Sequence, residues 1–288
     1  MGIVVNLACG LANRMFQYSY YLYLGKMGYK VSVDYYTIKN LPHEKVGWND
    51  IFPRATFAEA SKWSVFKLGG GQDLLSRVRR KYLYHTTHVQ QMPSAFSVEL
   101  PKGEDCYVMG VFQNAKMVEE VAQEVKSRFA FQPFGEGKNR SLEDEIRNSN
   151  SVAIHVRKGK DYQERIWYQN TCPVDYYSKA VAWMKENTDN PVFYVFTDNP
   201  DWVREHFKGF DYTLVDWNPG AGPGSHFDMQ LMSLCHHNII SNSTYSWWGA
   251  FLNAAEDKVV ILPEVWFNPG SCDDYTSEKL RCEGWIQL

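Results

Sequence analysis

Nowhere in the 288-residue chain do eighteen apolar residues run together, and Met1-Gly-Ile-Val-Val-Asn6 lacks the basic segment and apolar core of an export signal. A membrane-spanning helix is thereby excluded, and the cytoplasm is the expected compartment. The six cysteines (Cys9, Cys106, Cys172, Cys235, Cys272, Cys282) form no C-x-x-C pair and have no zinc-ligand spacing, so they read as free, mostly buried thiols. Positive charge is not in surplus. The net charge of −3 offers no field for a nucleic-acid backbone, and nucleic acid is not an expected partner. Also missing are a Walker A loop, H-E-x-x-H, G-x-S-x-G and a G-x-G-x-x-G after a strand, which removes the common NTPase, zincin and hydrolase chemistries. There is no D-x-D pair of the kind that chelates a divalent cation under a diphosphate. A departing diphosphate would have to be stabilised by protein groups, and no metal or other cofactor is expected.

Aromatic residues are plentiful, at 15% with 10 Trp, 18 Tyr and 16 Phe. Such a load suits sugar or interface contacts, and equally the large side chains of a wide α/β interior. One basic run, Arg77, Arg79, Arg80 and Lys81, reads as a solvated helix face or as a contact for anionic lipid or an acidic glycan.

Ile3 to Leu7 is an apolar run closed by Ala8-Cys9-Gly10-Leu11-Ala12-Asn13; a helix-length segment to Gly28 and a second strand, Lys30 to Tyr35, follow. That is the strand–turn–helix–strand opening of a Rossmann-like parallel sheet, whose first loop aims backbone N–H groups at a helix start. Residues 37 to 105, broken by Gly69-Gly70-Gly71, read as an irregular or helical insertion. Tyr107 to Phe112 reads as a strand and Lys116 to Phe129 as one helix. The Pro/Gly-rich stretch Gln132 to Asn139 marks a boundary between domains 1–135 and 140–288. Beyond it, Ser151 to Val156, Val192 to Thr197, Ile239 to Ser241 and Val259 to Leu262 read as buried parallel strands. Helices Val174 to Asn187, Pro200 to Phe207 and Phe227 to Cys235 alternate with them. The expected fold is α/β, with two Rossmann-like domains of parallel sheet.

Three constellations carry chemistry. Arg157 directly follows the strand Ser151 to Val156, so it stands at the carboxyl edge where such sheets bind ligands, and a guanidinium can bridge two phosphate oxygens. His155 lies two residues earlier, within reach of a base or ribose; a surface Arg beside a core-edge His is the plainer alternative. Asn242-Ser243-Thr244-Tyr245-Ser246 follows another strand and opens a helix, which makes an anion site, an ordinary N-cap, or both. Asp228 starts a helix after a Gly-rich loop; it either caps that helix or accepts the two N–H donors of a guanine edge.

In Cys9-Gly10-Leu11-Ala12-Asn13-Arg14-Met15-Phe16-Gln17-Tyr18, His155-Val156-Arg157-Lys158-Gly159-Lys160-Asp161, Asp175-Tyr176-Tyr177, Val195-Phe196-Thr197-Asp198 and the block Asp228 to Trp248, the chain resembles the alpha-1,2-fucosyltransferase family. The resemblance implies a GT-B-type arrangement, GDP-fucose held mainly by the C-terminal domain, a β-galactoside acceptor, and inversion without metal. It also implies roles: Arg157 on the diphosphate, His155 and Asp228 on guanine or ribose, and Ser243, Thr244 and Ser246 on phosphate oxygens. Asp198 joins the donor site, and Asn13 reaches the leaving group from the other domain. Asp161 corresponds to the motif's acid and, with Glu164, is a candidate base. Peripheral contact with the inner membrane is a further expectation. Three positions depart from the family pattern: Ala12 for glycine, Arg14 for glutamine, and the extra residue Lys160 before Asp161.

Overall fold

Short apolar runs between helices dictate an α/β chain, and the computed structural model describes residues 2–35, 47–71, 74–82, 88–271 and 276–288, leaving aside the side chains of Arg79, Arg80 and Asp161. Two compact units divide between Ala130 and Phe131.

The first unit contains β1 (Ile3–Asn6), α1 (Leu11–Lys26), β2 (Val31–Asp34), α2 (Trp48–Ile51), α3 (Lys62–Lys67) and α4 (Leu74–Tyr82), then β3 (Val89–Gln91), β4 (Cys106–Met109), α5 (Ala115–Glu119) and α6 (Ala122–Arg128). Its sheet runs β2-β1-β4-β3, all parallel. Every residue of β1 is buried, as a central parallel strand requires. A polar tie joins three strands: Asn6 Nδ2 donates to Tyr107 Oη at 2.8 Å, and that hydroxyl donates to Asp34 Oδ2 at 2.7 Å. Burial, with the Asp34 carboxylate beside it, holds the Tyr107 phenol well above its ordinary pKa, so it remains a donor. Gly70 packs over the same ring; a Cβ there would lie 2.3 Å from a ring carbon. The triple glycine thus marks a close approach of backbone to Tyr107.

The second unit contains α7 (Lys138–Arg147), β5 (Ser151–Val156), α8 (Lys160–Glu164), α9 (Val174–Asn187), β6 (Val192–Thr197), α10 (Pro200–His206), β7 (Tyr212–Val215) and α11 (Phe227–Leu234). It continues with β8 (His237–Ile239), α12 (Thr244–Leu252), β9 (Val260–Leu262), a 3-10 turn (Glu278–Leu280) and β10 (Ile286–Gln287). The sheet order is β10-β9-β8-β5-β6-β7, again all parallel. Counted from β5, this is the doubly wound 3-2-1-4-5-6 order. The core places Val152, Ile154, Val156, Val195, Ile239 and Ile261 of the sheet against Tyr177, Ala180 and Met184 of α9.

Three expectations change. Residues 37–105 are not wholly an insertion, because β3 adds a strand to the first sheet; residues 37–46, 72–73 and 83–87 of that stretch lie outside the described residues. The helix expected over 116–129 is two, interrupted at Glu120 and Val121. The strands β7 and β10 were not anticipated; β7 is only partly buried and β10 has two residues, so neither presents a long apolar run. The cysteine reading holds for the described residues: Cys9 is an exposed free thiol and the other four are buried free thiols, while Cys272 falls outside the described residues.

Helices α11 and α12 meet at Gly249, where a Cβ would lie 2.9 Å from the Met232 Cβ. Gly249→Val should lower unfolding stability by about 2 kcal/mol through overpacking, measured by urea denaturation.

Candidate active site

Strands β5 and β8 are neighbours, yet the chain leaves them in opposite directions, towards β6 from one and β9 from the other. The crevice at such a switch point, beyond the carboxyl ends of the strands, is where open α/β sheets receive ligands. Ile154 pairs with Ile239, so His155 and Arg157 on one chain run on beside 240–243 on the other. A hydrogen bond of 2.8 Å between His155 Nδ1 and Ser241 Oγ joins the two loop starts. Burial first, and then the Arg157 guanidinium, depress the His155 pKa to about 3. The imidazole is therefore neutral at physiological pH and adds no charge beside half-buried Arg157.

Helix α12 starts at this crevice. Ser243 occupies its N-cap position but makes no side-chain capping bond. Its Oγ is buried and has no hydrogen-bond partner within the protein. The capping alternative thus fails here, and an orphaned buried hydroxyl costs about 1–3 kcal/mol unless something else meets it. The first-turn N–H groups, those of Thr244, Tyr245 and Ser246, have no carbonyl to meet inside the helix. Ser246 turns its own hydroxyl back onto Ser243 O at 3.1 Å, which leaves its N–H as its main contribution to the crevice. Two fully buried tryptophans anchor the helix behind this turn; Trp247 stacks on Phe251 at 5.0 Å and donates to Leu280 O at 2.7 Å. These aromatics are core, not sugar contacts.

Asp228 is the second residue of α11, whose N-cap is His226, so it does not cap the helix. Its Oδ1 accepts from Asn218 Nδ2 at 2.7 Å. Asn218 Oδ1 in turn accepts from Asn139 Nδ2 at 2.8 Å, and Asn139 Oδ1 accepts from Trp217 Nε1 at 2.7 Å. This relay orients the carboxylate, and no sequence motif pointed to it. Burial raises the Asp228 pKa to about 6. Tyr245 ties α11 to α12: its hydroxyl donates to Ser225 O at 2.8 Å and accepts from Met229 N at 2.9 Å. Its ring also lies 5.8 Å from that of His155.

The loop after Arg157 is braced from β6. Asp198 Oδ1 accepts from Lys158 N at 2.7 Å, and Asn199 Nδ2 donates to Lys158 O at 2.9 Å. Asp198 thus has backbone to hold in this loop. Lys158, buried and singled out by no sequence argument, sets its ammonium 5.2 Å from the Tyr162 ring and 5.1 Å from the Trp202 ring. Asp161 lies on α8 with Lys160, whose ammonium pairs with Glu164 at 3.7 Å.

Within the first unit, Asn13 sits in the first turn of α1, where its Oδ1 accepts from Gln113 Nε2 at 3.1 Å. Ala12 is helical, so its Cβ is tolerated; the positive φ of this loop, 68°, falls on Cys9. Arg14 is buried rather than facing solvent.

Parallel sheets in both units, with a polar crevice at the second sheet's switch point, fit the fold of the GT-B class. The chain belongs to glycosyl transferase family 11, whose model matches residues 81–288. It is 38% identical over 145 residues to the O-antigen biosynthesis glycosyltransferase WbnK of Escherichia coli, covering 49% of this chain and 45% of that one. It is 33% identical over 152 residues to an alpha-1,2-colitosyltransferase of Escherichia coli, covering 52% and 51%. A galactoside alpha-(1,2)-fucosyltransferase 2 of Oryctolagus cuniculus is 27% identical over 113 residues, covering 38% and 32%. The chain thus spans about half or less of the length of these curated relatives. Among solved structures, the fucosyltransferase NodZ from Bradyrhizobium superposes with a TM-score of 0.51 at 13% identity, over 86% of this chain and 90% of that one. A mutant of Arabidopsis thaliana FUT1 in complex with GDP superposes at 0.50 with 15% identity, over 91% and 70%. Both likenesses concern the fold.

A histidine held neutral to about pH 3 should show no imidazole titration between pH 5 and 8 in an NMR experiment on His155. The unfolded chain takes up this proton near pH 6.5, so the contribution of His155 to stability is intact above that value and is lost as pH falls below it.

Proposed function

We propose that the protein transfers L-fucose from GDP-fucose to a β-galactoside hydroxyl, in an α-1,2 linkage, with inversion and without a metal ion. The observation that carries the reading is the Ser243 hydroxyl, buried and without a protein partner at an open helix start beside the Arg157 loop. A diphosphate supplies the acceptor oxygen that this hydroxyl lacks, and its other oxygens suit a helix start and a guanidinium.

The acceptor oxygen attacks the anomeric carbon as the bond from that carbon to the β-phosphate oxygen breaks, and GDP departs with the electron pair. Negative charge grows on the β-phosphate, where Arg157, Ser243 Oγ and the amides of Thr244 and Ser246 are pre-aimed. Asp228 takes the N1–H and exocyclic N–H of guanine; adenine offers no such pair. Neutral His155, anchored by Ser241, faces the ribose. The acceptor proton goes to a carboxylate base; Glu164 is exposed and paired with Lys160, which leaves Asp161 as the sequence candidate. For the acceptor, exposed Trp167 offers a ring face, on a loop pinned by Asn268 N donating to Trp167 O at 2.8 Å and Asn268 Nδ2 to Gln169 O at 2.9 Å.

The kinship to a colitosyltransferase favours one second reading, in which the same crevice delivers a colitosyl group. Incubation with GDP-fucose or GDP-colitose and a panel of β-galactosides, followed by NMR of the product, separates the two. No product from either donor overturns both.

Arg157→Ala should lower kcat by about 10²–10³-fold with an unchanged circular dichroism spectrum. Activity should survive EDTA, and strict dependence on added Mn²⁺ would refute the metal-free route. Because guanine recognition needs the ionised carboxylate and the Asp228 pKa stands at about 6, GDP affinity should fall as pH drops below 6. Calorimetry should show a loss approaching tenfold per pH unit, with a flat, weak profile in Asp228→Asn.

A further inference from the structure

Helix α4 is amphipathic in the wrong sense for a helix that covers a core. Leu74, Leu75, Val78 and Tyr82 fall within an arc of about 100° on the helical wheel. They are 77%, 66%, 43% and 66% exposed, whereas Ser76, on the opposite side, is only 8% exposed. The helix turns its hydroxyl inward and its leucines outward. By position, Arg77 and Lys81 border the apolar arc on one side.

Helix α3 repeats the theme. Val65 points into the core with Val4 and Tyr107, while Trp63 and Phe66 stand exposed with rings 5.9 Å apart, between exposed Lys62 and Lys67. The seven residues from Lys67 to Leu74 span at most roughly 25 Å, so both helices belong to one region of the first unit. Residues 62–82 contain six cations and one acid, a net of +5; the whole chain carries −3, and the remainder therefore −8.

We infer that α3 and α4 form a docking surface for a bilayer rich in anionic phospholipid. An apolar arc bordered by Lys and Arg, with Trp and Tyr at its margins, fits the boundary between headgroups and acyl chains. The acidic remainder of the chain is repelled by the same surface, which orients the protein with this segment towards the lipid. A second copy is a poorer occupant, because two +5 segments would face each other. An acidic glycan has no use for the leucines. The inference does not rest on the donor chemistry, since binding to lipid needs no turnover.

The test is sedimentation of the whole chain with vesicles of phosphatidylcholine alone and of phosphatidylcholine with phosphatidylglycerol. Binding should require phosphatidylglycerol and weaken steeply with salt. Leu74→Glu/Leu75→Glu should bind at least about tenfold more weakly, and Lys67→Glu/Lys81→Glu should lose preference for the anionic vesicles. All four positions are exposed, so both variants should melt within a few degrees of the parent, which separates lost docking from lost folding. Absence of vesicle binding, equal binding by Leu74→Glu/Leu75→Glu, or lipid-free dimerisation abolished by that variant overturns the inference.

Discussion

The second unit depends on the side-by-side pairing of β5 and β8, two parallel strands whose following chains part at their carboxyl ends. Everything placed at the crevice is placed by that divergence. Because Ile154 pairs with Ile239, the histidine one step further meets Ser241, and the arginine two steps beyond that emerges level with the opening of α12. No single residue here has unusual chemistry. A guanidinium, a hydroxyl and a few amides form the proposed anion site because the sheet brings them to one edge and the buried tryptophans of α12 hold the helix behind them.

Around this pairing, the polar groups fall into those that face the crevice and those that hold the facing groups still. Asp198 and Asn199 clamp the backbone at Lys158 from the next strand, and Tyr245 fastens the two helices that carry Asp228 and Ser243. The relay from Trp217 through Asn139 and Asn218 fixes one oxygen of Asp228 and leaves the other to be used. A carboxylate so placed, with its pKa raised by burial, is costly to charge in the empty protein. In the proposed function that cost is recovered when a base with two N–H groups arrives.

Much of this was legible in the residues alone. The continuous apolar runs of β5 and β6 declare buried parallel strands, and Arg157 at the end of one of them falls where ligand chemistry belongs. What was not legible has physical reasons. β7 and β10 are short and only partly buried, so their pattern is too weak to separate from loop. The Asn139–Asn218 contact joins residues 79 apart and exists only once the fold has closed. Ser243 at a helix start reads as a cap by propensity; its rotamer, which no sequence pattern encodes, turned out to leave the hydroxyl unclaimed. The basic run at 77–81 reads as a solvated face, and only the burial of Ser76 shows which side of α4 meets water.

The unclaimed Ser243 hydroxyl has a consequence for the life of the protein in a cell. A native state that keeps a buried donor unmet is less stable than its contacts would allow, and any ligand that satisfies it stabilises the folded chain by mass action, by about 2.7 kcal/mol at a hundredfold excess over its dissociation constant. On the proposed function, the nucleotide is a folding partner as well as a substrate. Under that proposal, chains made while donor is scarce would spend more time open to proteolysis, and abundance would follow the supply of donor.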